Sequence, residues 1–381
     1  MKRKLTFVAC MAAAMMVQAS PAFASTHDPD FEVLGTGLLT PLHLAVGKGE
    51  SVRVSQDFAG VLTRVEHDGS TEDVYTAKKG WEVAGVEIRD STTYFLESIG
   101  AGQGDPAKLQ GYLKSIDSRG DVDTIANFAE YERKHNPDGD QHYGFEPDVS
   151  DKCLADWPAF PPARYTGTVD SHPYALAVKD STAYVADAGM NAILKVNLKS
   201  GAISTLTVLP PRPAKVPAGL QIPRDMEGHT MTVPDCVVGE KYAFEPVPTD
   251  VEIGPDGWLY VTSLPGGPEG PELGARGAIF KVNPWNGDTT VWADHILSPT
   301  GLAVADNGDI YVASLFGGEI LKFNCDADRS RFLEVNLPAD VEFKDGDVFA
   351  TVDALPAQPD PSMPNAPAPM PAGRVIEVDL R

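Results

Sequence analysis

The stretch SPTGLAVADNGDIYVASLFGGEILKF, residues 298–323, decides the fold. It reads as an apolar strand, a turn carrying Asn307-Gly308, a second apolar strand, a Gly-Gly turn and a third strand with Lys322 near its middle. Alternation with a period of two and short turn signals is the grammar of antiparallel hairpins. VPTDVEIGPDGWLYVTSL (residues 247–264), continued by GAIFKVNPWNGDTTVWA (residues 277–293), repeats the pattern. HPYALAVKDSTAYVADAGMNAILKVNLKSGAISTL (residues 172–206) repeats it again. Units of about 40 residues with four short strands each predict an all-β chain folded as a β-propeller.

Aligning the first strand of each unit gives PLHLAV (41–46), VAGVEI (83–88), PYALAV (173–178), PTDVEI (248–253), PTGLAV (299–304) and PADVEF (338–343). That predicts six blades in one domain spanning residues 25–381. Proline suits the first residue of a strand, where its missing N–H is not needed. The last unit is one strand short, ending in GRVIEVDLR (373–381), and FEVLGTGL (31–38) supplies the missing fourth strand. Such pairing closes the ring between the two ends of the chain. Excess residues sit at 99–108, 128–169, 210–247, 264–276 and 355–372. All five fall in second-to-third-strand turns or blade-to-blade crossovers, which emerge on one face of the disc. The last of them is rich in Pro and Ala and reads as an extended, solvated loop.

The chain begins with Lys2, Arg3 and Lys4, an apolar stretch from Leu5 to Val17, and Ala22-Phe23-Ala24. This is the pattern of a signal peptide cleaved after Ala24, and it predicts a secreted or periplasmic protein. Removing three basic residues leaves 28 basic against 54 acidic ones. Such acidity argues against nucleic-acid binding, which needs clustered Lys and Arg. No other apolar run is long enough for a transmembrane helix, and a monomer is expected. Cys153, Cys236 and Cys325 remain in the exported chain, where disulfides form. The first two lie in the crossovers after blades two and three, which emerge side by side, so a Cys153–Cys236 bridge is expected. Cys325 sits in a turn on the opposite face.

The residues HPYALAV…AYVADAGMNAILKVN, EPVPTDVEIGPDGWLYVTSLPGGPEGPELGARGAIFKVNP and the insert AEYERKHNPDGDQH (129–142) resemble a secreted family named after the D and E proteins of cyanobacterial scytonemin clusters, the ScyD/ScyE family. It is related to NHL-repeat and gluconolactonase-type six-bladed propellers. The AxYExxxNPDG insert is more specific than the strand motifs, and the likeness covers nearly the whole exported chain. It implies an exported propeller and leaves the biochemical role open.

The first strands carry the sharpest candidate chemistry. Glu87, Glu252 and Glu342 occupy one equivalent position and alternate around the ring with Ala45, Ala177 and Ala303. Two residues nearer the crossover face stand His43, Asp250 and Asp340, ~6.5 Å away along the channel. Three glutamates on one axis repel unless they are hydrated, protonated or bridged by a cation such as Ca²⁺ or another divalent ion. Local pairing between blades is the other reading, and the sequence favours a channel without a metal. A second polar set, Glu97, Asp187, Ser263 and Ser314, closes the second strands. Asp187 stands where propellers tie the following turn. His43, His172 and His229 are expected nearest the crossover face. No Ser-His-Asp order, HExxH, P-loop or GxSxG element is present. Two functions follow. One is a non-catalytic binding platform whose crossover face takes a small molecule, glycan or protein, with His43, Asp250, Asp340, Glu97 and Asp187 at its channel mouth. The other is a metal-dependent hydrolase of lactonase type using the channel carboxylates. Gluconolactonase-type propellers hold their metal with a Glu near the start of blade one, where this chain has Leu42-His43.

Overall fold

The computed structural model describes residues 28–49, 51–158, 161–224, 229–268, 272–356 and 372–380. The signal-peptide pattern and most of the Pro/Ala-rich loop lie outside them. The fold is an antiparallel β-propeller. Six four-stranded sheets each run in sequence order from an inner to an outer strand, the last completed by the N-terminal strand. Their inner strands are Pro41–Val46, Glu82–Arg89, Pro173–Lys179, Pro248–Ile253, Pro299–Val304 and Asp340–Lys344. Each touches the next, and the last touches the first, so they form a closed ring. Closure comes from Glu32–Leu38, which pairs antiparallel with Gly373–Asp379 as expected.

One device recurs where the chain steps onto an inner strand. Thr40, Val247, Ser298 and Leu337 have positive φ values of 51, 46, 43 and 44°. All four precede proline, and left-handed backbone is costly for side chains of this kind. A backbone bond across the blade holds the bend: Asp57 N–H to Thr40 O, Leu264 to Val247, Leu315 to Ser298 and Ala354 to Leu337, at 3.0, 3.0, 2.9 and 3.2 Å. A β-bulge follows in the first five blades, between Pro41 and His43 for example. Bulges re-aim side chains, but blade six presents Asp340 and Glu342 to the axis from an unbroken ladder.

The basic residue near the middle of the third strand is structural in blades three, four and five. Lys195, Lys281 and Lys322 pair across the ladder with Tyr184, Tyr260 and Tyr311. Their ammonium groups lie 5.9, 5.0 and 5.5 Å from the ring centres. Lys281 and Lys322 also bind the turn carboxylates Asp256 and Asp309 at 2.7 and 2.8 Å. The Asp-Gly turns are thus hairpins tied to the sheet.

The two crossover insertions do more than crowd one face. They fuse into a seventh four-stranded sheet, ordered Arg164–Thr166, His142–Phe145, Lys241–Phe244, Arg212–Lys215. Its core includes Phe145, Val149, Val216, Val237, Tyr242 and Phe244, with Trp157 packed against it. The Cys153–Cys236 disulfide staples the two insertions, with Cα atoms 5.9 Å apart. Cys325 is exposed and outside the bridge. The chain contains near-copies of one motif, Tyr143-Gly144-Phe145-Glu146-Pro147 and Tyr242-Ala243-Phe244-Glu245-Pro246. Their strands lie side by side, with Gly144 opposite Ala243 and Phe145 opposite Tyr242.

The insert AEYERKHNPDG docks this module onto blade three. It forms the helix Phe128–His135, which starts at Asn127 and ends at Asn136 in the left-handed region. Tyr131 Oη meets Thr205 Oγ1 at 2.9 Å, and Glu132 accepts the Asp170 N–H at 3.1 Å. Asp138 accepts from Tyr143 Oη at 3.1 Å and Asn191 Nδ2 at 2.9 Å. The motif that carries the family resemblance is a structural joint.

Candidate functional site

Ladder register confirms the equivalence read from the inner strands. Glu252, Ala177 and Ala303 stand opposite Tyr260, Tyr184 and Tyr311, and Glu87 and Glu342 opposite Tyr94 and Phe349. Glu87, Glu252 and Glu342 do not turn outward between the blades. Each offers a carboxylate oxygen, and these oxygens lie within 4.8 Å of one another. Burial first and mutual repulsion second hold Glu252 and Glu342 protonated well above the ordinary carboxylate range. Burial raises Glu87 to about 8, against the pull of Arg89 and Lys344.

The layer toward the crossover face is buried, with His43, Asp250 and Asp340 exposed by 3, 6 and 5%. Asp250 accepts its own neighbour's amide, Val251 N–H, at 2.7 Å and the next blade's Leu302 N–H at 2.6 Å. Asp340 repeats this with Val341 N–H at 2.9 Å and Leu44 N–H at 2.8 Å. Both carboxylates therefore bolt adjacent inner strands together. In blade two the equivalent residue is Gly85, where a Cβ would lie 2.6 Å from Ala175 Cα. There the neighbouring backbone takes the space instead. His43 packs edge-on against Tyr174 with ring centres 4.5 Å apart. Burial lowers its pKa to about 3, and its Nε2 has no hydrogen-bond partner. His43, Asp250, Asp340, Glu252 and Glu342 line one axial cavity of about 10 Å³, the room of roughly one water.

The second polar set clasps each blade to the crossover that feeds it. Asp187 accepts from His172 N–H at 2.8 Å and from Ser171 Oγ at 2.7 Å. Ser314 Oγ donates to Leu297 O at 2.6 Å, and Ser263 Oγ to Pro246 O. Gln56, which the sequence reading left out, fills the same role by accepting Leu39 N–H at 2.6 Å. Glu97 departs from the pattern: it pairs with Lys114 and accepts from Tyr75 Oη at 3.0 Å.

The structure adds a cluster on the crossover side that the sequence did not single out. His172 Nε2 lies 2.8 Å from Glu82 Oε2, both side chains partly open to solvent at 24 and 32%. His172 also packs on Tyr174, centres 5.4 Å apart. Although burial disfavours its charge, Glu82 prevails and raises its pKa. Asp57 lies in their field, fully buried, with neither oxygen hydrogen-bonded, and burial lifts its pKa to about 8. Of the expected histidines, His43 and His172 come together around Tyr174, whereas His229 is an exposed residue of the insertion module. The missed signal is Asp57 itself, an acid in the tight turn Asp57–Ala59 at a hairpin tip.

No family model and no curated protein matches the sequence. Solved structures do. A gluconolactonase from Xanthomonas campestris aligns over 95% of this chain and 99% of its own, with TM-score 0.51 and 11% identity. The PQQ-bound aldose sugar dehydrogenase of Streptomyces coelicolor aligns over 91% and 96%, with TM-score 0.50 and 14% identity. At these identities the likeness establishes the β-propeller fold alone. Among the described residues, no helix is long and apolar enough to cross a membrane.

Proposed function

We propose that this chain is an exported, non-catalytic β-propeller of the ScyD/ScyE kind. Residues 25–381 act as one unit after loss of residues 1–24, and its crossover face is a platform for a small molecule, glycan or protein. One observation carries the reading. The insertions after blades two and three are welded on that face into a disulfide-stapled module, and long loops on a rigid scaffold are where binding concentrates. Asp250 and Asp340 on the axis and Asp187 at the crossover clasp are spent on backbone amides, which supports the non-catalytic part of the reading. Phe58 and Phe316, exposed by 58 and 53% in second-to-third-strand turns, offer apolar contact on the same face.

The test is calorimetric titration with hits from a glycan and small-metabolite panel. The Phe58→Ala/Phe316→Ala variant is expected to bind about tenfold more weakly at an unchanged melting temperature. Trp285→Ala, on the opposite face, is expected to bind like wild type. The reverse ranking would sink the proposal.

A hydrolase of lactonase type is the second reading, favoured by the solvent-reached His172–Glu82 pair beside Asp57. A His held by a carboxylate is suited to general-base work. The channel carboxylates are poorly placed for it, since a cavity of about 10 Å³ admits no lactone ring. Turnover of simple lactones that disappears in His172→Ala would establish catalysis over passive capture.

A further inference from the structure

We infer that one hard divalent cation of the Ca²⁺ class binds on the propeller axis, held by the carboxylates of Glu87, Glu252 and Glu342. The proposal is independent of the platform reading. Its first support is convergence. Three oxygens around a central Ca²⁺ at ~2.3–2.6 Å stand about 4.0–4.5 Å apart in a plane, and these three lie within 4.8 Å of one another. Each carboxylate can offer two oxygens, so the triad can fill six of the 6–8 oxygen positions typical of calcium. An all-oxygen, all-carboxylate set selects a hard ion over a thiophilic one.

The second support is separate from the acids. His43 is 3% exposed, its Nε2 is without a partner, and it lines the same small cavity as Glu252 and Glu342. It lies two residues before Ala45, the position aligned with the glutamates, so alternation turns it to the axis as well. A buried ring nitrogen left unpaired costs free energy. The cavity holds about one water, and a cation-bound water there would donate to Nε2. One ion with one axial water thus satisfies the three carboxylates and the orphaned nitrogen together. Five carboxylates face this axis, counting Asp250 and Asp340, against the cations of Arg89 and Lys344, which the electrostatics of Glu87 place nearby. Exposure along these strands grows away from the crossover face: Asp340 is buried, Glu342 half-buried, and Arg89 beyond Glu87 is exposed. The ion therefore enters from the face with short turns.

The experiment measures metal content and melting temperature of the purified full chain with CaCl₂ or EDTA. Wild type is expected to carry one equivalent of metal and to melt roughly 5 °C higher at a hundredfold excess of Ca²⁺ over Kd than in EDTA. Glu87→Gln, Glu252→Gln and Glu342→Gln should each lose the metal and the calcium response. Asp345→Asn, an exposed acid of blade six, should keep both. The inference falls if wild type ignores Ca²⁺ and EDTA, or if the Gln variants keep the calcium shift. It falls equally if they melt at or above calcium-loaded wild type, the sign expected when only like-charge repulsion is relieved.

Discussion

Asp57 is a carboxylate with no hydrogen bond, no solvent and a His172–Glu82 pair for company. Its pKa rises from 3.8 to about 8, so the fold keeps a proton that the unfolded chain has released. Its contribution to stability is full below 3.8 and is lost as pH climbs through 8. Glu132, raised from 4.5 to about 8, behaves alike. His172, raised above 6.5, also loses its share as pH rises. His43 runs the other way: lowered from 6.5 to about 3, it contributes fully above 6.5 and loses that as pH falls. Above 6.5 every remaining change has one sign. Scanning calorimetry should find the melting temperature falling by a few degrees between about pH 6.5 and 8.5. Asp57→Asn, which needs no proton to be neutral, should flatten that slope and melt higher than wild type at the alkaline end. A steeper slope in the variant would contradict this account.

At the level of elements, the crossover clasp shows how a repeated fold problem meets different side-chain chemistry. Residues 56, 187, 263 and 314 each bond the main chain just ahead of their own inner strand, through an amide, a carboxylate and two hydroxyls. In blades one, four and five the clasp restrains a pre-proline residue held at positive φ, a conformation that persists only where the surroundings over-determine it. Ser314 is fully buried. Ser314→Ala should therefore cost roughly 0.5–1.5 kcal/mol, the net worth of one hydrogen bond, because the Leu297 carbonyl it leaves is only part-buried. Urea unfolding with an unchanged m-value would register it as a shifted midpoint, and an unshifted midpoint would refute the clasp. Strand-initial prolines and Gly/Asp turns were legible in sequence because their causes are local. The clasp was only half legible: Glu97 looked equivalent to Asp187, yet it serves an ion pair with Lys114 between strands.

For the whole molecule, closure is the decisive joint. Leu34 and Leu38 of the N-terminal strand are each 3% exposed and share a core with Leu44, Phe349 and Val375. Deleting residues 32–38 removes both and bares the edge of Gly373–Asp379. Burying such a side chain contributes about 1.5–3 kcal/mol, so a loss of several kcal/mol and a clearly lower melting temperature are expected. The bared edge should also promote association, since an open strand is a template for another chain. Size-exclusion chromatography with light scattering and a thermal melt test the two consequences together. An unchanged monomer with an unchanged melt would remove closure as the source of stability.

The chain by itself determined the propeller, the closing strand, the Cys153–Cys236 pair and the alternation of Glu with Ala around the axis. Each follows from period-two patterning plus the requirement that antiparallel blades return their crossovers to one face. Tertiary structure decided what the aligned residues do. Sequence equivalence gives Asp250, Asp340 and Glu252 a common orientation, but the placement of the neighbouring inner strands sets what they reach. The aspartates meet the next blade's amides, and the glutamates meet one another. Nor did spacing reveal that YGFEP and YAFEP, almost a hundred residues apart, would pair as adjacent strands, or that Asp57, Glu82 and His172 from three blades would share one electrostatic environment. Those relations depend on distances between elements, which only the closed ring defines.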